Sequence, residues 1–499
     1  MGMNVSAPTD KLFGKSGAVL LILAVIFTCL AVLLINGAPL YYFDTGSYIR
    51  QGSVALNMLL PPGAEGGTPG VTQTADGDST ASGSRSLIYG MILAGFFRAN
   101  ALFLVPVLHL SVVLLVAWLL ARNAHRSMGN AQSTTILTTV PLLVAASTSL
   151  PFYIAYMMPD IFAPVLLIII AALAAFGRTM QIWEVLLMSG GALLCVLVHP
   201  SHFAIAGLMI SFLILAALGN KMPRGWRATV LMIVVLVLAA AERKAFHVTV
   251  ETTTKKEVIY TPHITARLIV DGPGMAYLDE ACPDAEIPTC ALHEALSWSD
   301  DPYRMTPSHI IFERSARLGS FRLLPPEDQK QIALSQRDFA KAVFLSHPFS
   351  TSLALAKNGY QQILRHSITM TIPTDVELNN ARRLARLSEV DQDMLQMGQL
   401  SKDRAWIGTI DALHSAIYAI SFVLIAFVLL KPASVAPDMK LFALFILIGI
   451  AVNALVCGGV SQPADRYGAR VMWLLPFTAA FLFLVQRSGA SRILTGDPS

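Results

Sequence analysis

Apolar runs of the length a bilayer requires recur near residues 17–35, 101–121, 133–150, 161–177, 182–199, 203–219, 228–246, 411–430, 440–458 and 471–486. A hydrocarbon core about 30 Å thick takes about 20 helical residues to cross. The pattern therefore predicts an all-α, polytopic membrane protein with about ten transmembrane helices. Two long polar stretches interrupt the runs, at 36–100 and 247–410. They divide the chain into an N-terminal transmembrane module (1–246) whose loop is 36–100, a helical domain (247–410) between the seventh and eighth runs, and C-terminal transmembrane helices with a tail (411–499).

The first polar stretch is not uniform. Residues 44–60 read as an interfacial helix, whereas 61–84 are rich in Gly, Thr and Ser, the pattern of a mobile loop. Residues 87–97 form an apolar segment too short to span, suited to a helix in the interface. In the second stretch, apolar positions fall at helical spacing in 310–318, 339–345, 353–364 and 381–387. No internal repeat relates two halves of the chain, as it does in many transporters.

Basic residues assign the sides. Lys11 and Lys15 precede the first run, and alternate connections carry Arg122 and Arg126, Arg178, Lys221 with Arg224 and Arg227, Lys431 with Lys440, and Arg487 with Arg492. The connections near Met158 and His199 hold no Lys or Arg. The positive-inside rule then puts both termini in the cytoplasm and both long polar stretches outside. The connection 461–470, with Arg466 and Arg470 on the outer face, is the exception.

Composition agrees with this picture: 54% of the 499 residues are hydrophobic, 14% are charged and the mean hydropathy is +0.59, which excludes a soluble protein. A net charge of +4 spread over short connections offers no nucleic-acid surface. Cys29, Cys195 and Cys457 lie in apolar runs and read as small buried hydrophobes. Cys282 and Cys290 close the polar segment CPDAEIPTC, which suits a disulfide in an oxidising compartment, although two thiols there also suit a reduced or metal-binding pair.

The candidate chemistry gathers on the outer connections. Asp44 stands in YYFDTGSYI with Tyr48, where Tyr41, Tyr42 and Phe43 make an aromatic interface anchor. An Asp here reads either as a helix N-cap or as a carboxylate at the membrane edge able to accept a proton from a hydroxyl. Asp160, after Met158 and Pro159, has the same two readings. His199 and His202 in HPSH lie too near a helix end to be deep core, and suit either local backbone contacts or a polar headgroup or phosphate. Arg466 and Arg470, four apart with Tyr467 beside them, share a helical face and suit lipid headgroups or a substrate phosphate. Glu242, Arg243 and Lys244 extend the same rim or snorkel. Two acids are too few to define a metal site, so a divalent cation is left open.

The order of parts over roughly the first 220 residues resembles the GT-C superfamily of membrane glycosyltransferases, which includes protein mannosyltransferases, aminoarabinose transferases, oligosaccharyltransferases and mycobacterial arabinosyltransferases. The shared parts are a first span, an acid just after it (Asp44), a first loop with interfacial helices, short hairpin spans, and a second acid (Asp160) on the next outer turn. The resemblance implies a base at Asp44, a polyprenyl-linked sugar donor, a glycan or lipid acceptor, and residence in a bacterial inner membrane. The chain departs from the pattern in two respects. It has Asp44-Thr45-Gly46 where many relatives carry paired acids, and its helical domain is inserted between spans rather than placed after the last one. The expected activity is transfer of a sugar from a polyprenyl phosphate to an envelope glycan or lipid. The competing expectations are a transporter or flippase of a lipid-linked glycan, for which His109, Glu184 and Asn453 are the intramembrane polar groups, and a non-catalytic envelope assembly protein.

Overall fold

The structure, a computed structural model, describes residues 15–59, 80–128, 133–219, 226–284, 287–297, 306–387, 390–431 and 435–495. Of the loop expected at 61–84, residues 61–79 lie outside the described residues, as do Lys11, Lys221 and Arg224, while its end forms the short strand Thr80–Ser82.

The chain is a helical, multi-pass membrane protein. Each apolar run coincides with a helix, and seven are long and apolar enough to cross a membrane: Ser16–Asn36, Leu104–Ser127, Pro159–Phe176, Pro200–Leu218, Trp406–Leu430, Pro437–Val460 and Asp465–Gln486. The other three runs differ for local reasons. Helix Thr134–Ala146 stops at a turn and resumes as Leu150–Ala155; Ile182–Leu197 is shorter; and Trp226–Thr254 has Arg227 near one end and Glu242, Arg243 and Lys244 within it.

Helix Phe162–Phe176 is the hub of the bundle, with every residue buried. An apolar helix can be buried all round only when others surround it, and this one packs against Leu104–Ser127, Ile182–Leu197 and Pro437–Val460. The peripheral spans instead turn Leu20, Phe27, Leu186, Leu215, Val237 and Phe422 outward, an apolar exterior that suits lipid.

A second, separate core joins Ile259 of the strand Glu257–Ile259 to Ile269, Leu278, Leu292, Ile310 and Val343 from the helices between residues 263 and 346. Cys282 and Cys290 are disulfide-bonded there, with Cα atoms 5.6 Å apart. A three-residue parallel ladder, Thr80–Ser82 with Glu257–Ile259, ties this part to the first loop, and Thr261 donates its backbone N–H to Ser84 Oγ at 2.9 Å. The helix expected over 310–318 is shorter: it runs Pro307–Phe312 and turns at Glu313, whose carboxylate accepts the backbone N–H groups of Arg314 and Ser315.

Candidate functional site

Two backbone connections bring the acids together. Leu40 donates its N–H to Ala155 and accepts the N–H of Met157 at 2.7 Å, a bridge that stitches the strand-like entry to Asp44 onto the entry to Asp160. Thr45 Oγ1 reinforces it by donating to the Met157 carbonyl at 3.3 Å.

Neither acid is a helix cap, contrary to the simpler expectation for both. Asp44 lies inside the first turn of Phe43–Leu59, and its carboxylate pairs with Arg85. Asp160 lies in the short 3-10 turn Pro159–Ile161, where no side chain caps the following helix; its Oδ1 accepts from Arg470 Nη1 at 3.2 Å. The reason is competition. A guanidinium offers a buried carboxylate charge-assisted bonds, stronger than those of exposed backbone N–H groups.

The arginines reach the acids because the last span begins earlier than its apolar run implies. The run starts near residue 471, but the helix starts at Asp465, so Arg466 and Arg470 lie on its first turns and are buried, 5% and 0% exposed. Tyr153 donates to the Arg466 carbonyl at 2.7 Å and Ser149 to that of Ala469 at 2.6 Å, fixing this arginine helix against Leu150–Ala155.

The two arginines are not equivalent. Arg470 is bonded through every side-chain nitrogen: Asn453 Oδ1 accepts from its Nε and Nη2 at 3.2 and 2.8 Å, Asp160 accepts from Nη1, and Ser201 and Cys457 also accept from Nη2. Arg466 is not. Its Nη1 is 3.7 Å from Asp44 Oδ2, its Nε is 3.8 Å from Asp160 Oδ1 and makes no hydrogen bond, and its plane rests over Tyr42 and Tyr467 at 5.1 and 4.9 Å. Asp160 Oδ2 is likewise buried without a hydrogen-bond partner.

The histidines divide as well. His199 caps helix Pro200–Leu218, its Nδ1 accepting the N–H of Ser201 at 3.2 Å. Burial, and then the charges of Arg470, Arg466, Arg85 and Arg243, push its pKa well below the usual histidine value, so the ring is neutral. His202, expected to lie outside the deep core, is fully buried; its Nδ1 donates to the Cys195 carbonyl at 2.7 Å, while Nε2 has no hydrogen-bond partner. Tyr48 is also buried, edge-on to Tyr89, with Arg85 over its ring at 5.9 Å.

Asp44 and Arg85 form one wall of a cavity of about 700 Å³, completed by Tyr42, His309, Arg322 and Arg383 among others. Asp160 and Arg470 lie behind that wall, with Arg466 between them and Asp44. A second, small cavity of about 40 Å³ joins Arg85 to Pro200, Glu242 and Arg243; Lys244 is exposed and outside it.

Three guanidinium groups thus face two carboxylates, a local excess of one positive charge. That balance suits an added anion and opposes a divalent cation. Among the described residues no three or more His, Cys, Asp or Glu side chains come together as metal ligands, and both acids already face arginines.

Arg85 had no signal in the sequence beyond its position before Ser86, which caps helix Leu87–Arg98 by accepting the N–H of Tyr89 and so holds Arg85 at the helix entrance. The three intramembrane polar residues are all engaged. His109 contacts the Ile154 carbonyl at 3.1 Å, Glu184 binds Arg122 and Arg126, and Asn453 belongs to the arginine site. No protein-family model and no curated protein matches the sequence.

Proposed function

We propose that the chain is a membrane glycosyltransferase of the GT-C kind, with about ten spans, both termini cytoplasmic, and its site at the outer face of a bacterial inner membrane. The observation that carries the reading is the meeting of Asp44, Asp160, Arg466 and Arg470, drawn from three distant connections, in one ion-pair cluster that reaches a large cavity through Asp44 and Arg85.

In this mechanism the donor is a sugar on a polyprenyl phosphate. Its phosphate competes with Asp44 for Arg466 and Arg85, since a guanidinium binds phosphate oxygens as well as it binds carboxylate. Asp44 is thereby released to take the proton of an acceptor hydroxyl in the cavity. The hydroxyl oxygen attacks the anomeric carbon, the bond from that carbon to the phosphate oxygen breaks with its electron pair, and the anomeric configuration inverts. The charge that develops on the departing polyprenyl phosphate falls to Arg466 and Arg85. Arg470 acts through Asp160: it holds that buried carboxylate, which in turn faces Arg466.

The test is binding of polyprenyl phosphate and polyprenol to the purified chain in lipid nanodiscs, followed by native mass spectrometry. The expected result is retention of the phosphate and not of the alcohol, with retention lost in Arg466→Ala. Equal retention of both lipids, or of neither, overturns the reading.

A further inference from the structure

Helix Pro348–Leu364 has the polarity of its faces reversed. Its buried positions are polar. Asn358 donates to Asp271 Oδ2 at 2.7 Å, and Gln362 holds Ala464 from both sides, donating from Nε2 to its carbonyl and accepting its N–H, each at 2.9 Å. Its large outward side chains are mostly apolar, with Ser350, Ser352, Lys357 and Gln361 exposed among them. Phe349, Leu353, Tyr360 and Leu364 recur at helical spacing, and Phe344 and Leu345 at the end of helix Pro326–Ser346 extend the stripe. Phe349 is 82% exposed and Leu345 68%. The only charged residue within the helix is Lys357.

A helix in water buries its apolar stripe. Here the stripe points away from the protein while Asn358 and Gln362 point in, the arrangement of a helix lying in an interface with hydrocarbon on its outer side. Its neighbour says what that hydrocarbon is. The helix packs on the last turns of the span Pro437–Val460, with Leu355 against Gly459 and Gly359 against Leu455, so the stripe is carried at the end of a membrane helix.

We infer that helix Pro348–Leu364, with Phe344 and Leu345, lies in the bilayer surface with its stripe among lipid acyl chains. Through its polar face this membrane contact also holds the arginine helix: Gln362 fixes Ala464, and the Arg365 carbonyl approaches Gly468 so closely that a Cβ there would lie 1.9 Å from it. The inference stands independently of the glycosyltransferase reading.

The experiment places a nitroxide on single cysteines, Phe349→Cys, Leu353→Cys and Tyr360→Cys, in the full chain in phospholipid nanodiscs. Asp338→Cys, on an exposed position of the preceding helix, is the aqueous control. The three free native cysteines are buried, so wild-type protein gives the labelling background. At the three stripe positions collisions with lipid-soluble oxygen should exceed those with a water-soluble nickel chelate several-fold, with the reverse at Asp338→Cys. Nickel-dominated collisions at the stripe overturn the inference, and so does exclusion of both reagents, which means a protein partner or a second copy covers it. If a cysteine variant fails to fold, Phe349→Trp in brominated phospholipid gives the same answer: quenching beyond that of wild type supports immersion, and none refutes it.

Discussion

Asp44 and Asp160 share one guanidinium, that of Arg466, which stands 3.7 Å from the first through Nη1 and 3.8 Å from the second through Nε. Both separations are long for a hydrogen bond and short enough for strong attraction, so the arginine is held between two acids without being committed to either. Such a group can turn toward an added anion at little cost in broken bonds.

The first prediction follows for Asp44. Asp44→Asn keeps the size of the side chain and can still accept from Arg85, so the fold should persist. Loss of the proton acceptor should lower sugar transfer by about 10²–10⁴-fold. Transfer rates in membranes with matched protein levels are the measurement. Retention of full activity would move the weight to the assembly reading.

Arg466 and Arg470 should respond differently to the same change. Arg466→Lys loses the planar fork but leaves a cation, so donor binding should weaken while thermal stability holds. Arg470→Lys keeps the positive charge beside the fully buried Asp160 but loses the fork that binds Asn453, leaving buried polar groups unsatisfied, so stability should fall by about 1–3 kcal/mol. Thermal unfolding and lipid retention of the two variants, compared side by side, separate a ligand-facing arginine from a structural one.

The helices of the bundle were legible in the sequence because spanning demands length and apolarity, which composition displays directly. The site was legible in part. Asp44, Asp160, Arg466 and Arg470 stood out as charges beside apolar runs, but the bridge between Leu40 and Tyr156 that joins the acids is backbone pairing between residues distant in sequence, and no local pattern encodes it. The bland reading of both acids as caps went wrong because capping is a local rule, and Arg85 and Arg470 arrive from elsewhere in the chain. His202 was misjudged for a related reason: nearness to a helix end says nothing about what packs over that end.

Glu184 sits at the opposite end of helix Ile182–Leu197 from His199, about 22 Å away at 1.5 Å per residue. Its buried carboxylate accepts from Arg122 Nε at 2.7 Å, Arg126 Nη1 at 2.9 Å and the N–H of Gln181 at 2.8 Å. Glu184→Gln leaves two cations without their counter-charge, but both are partly exposed and can rehydrate. The expected loss is about 1–3 kcal/mol, below that of a dry pair. Thermal unfolding should register it, with transfer activity unchanged in the folded fraction.

Acid should weaken the fold near the first loop. Burial, with Arg85 adding to it, depresses the His263 pKa to about 4, and His199 is depressed in the same direction. Unfolded histidines titrate near 6.5, so between about pH 6.5 and 4 the unfolded chain binds more protons and stability falls as pH falls. Above pH 6.5 the contribution of these rings is constant. Unfolding temperatures recorded from pH 7.5 down to 5 should decline, and His263→Gln should shrink the decline.

Gly52 and Gly90 set how closely the two first-loop helices, Phe43–Leu59 and Leu87–Arg98, can approach, and these helices carry Asp44 and follow Arg85. A Cβ on Gly52 would lie 1.9 Å from the Gly90 carbonyl oxygen, which is backbone and cannot swing aside. Alanine normally favours a helix over glycine by about 1 kcal/mol, so the intrinsic preference and the packing oppose each other in Gly52→Ala. Packing should win, because separating the helices costs about 1–3 kcal/mol of strain and lost contact. It should also pull Arg85 from Asp44. Gly95→Ala is the matched control: it lies on the same helix as Gly90, and a Cβ there meets nothing within 4 Å. Gly95→Ala should leave the unfolding temperature level or slightly raised, whereas Gly52→Ala should lower it and reduce transfer together. Equal behaviour of the two variants in thermal unfolding would mean that this helix crossing does not hold the acid in place.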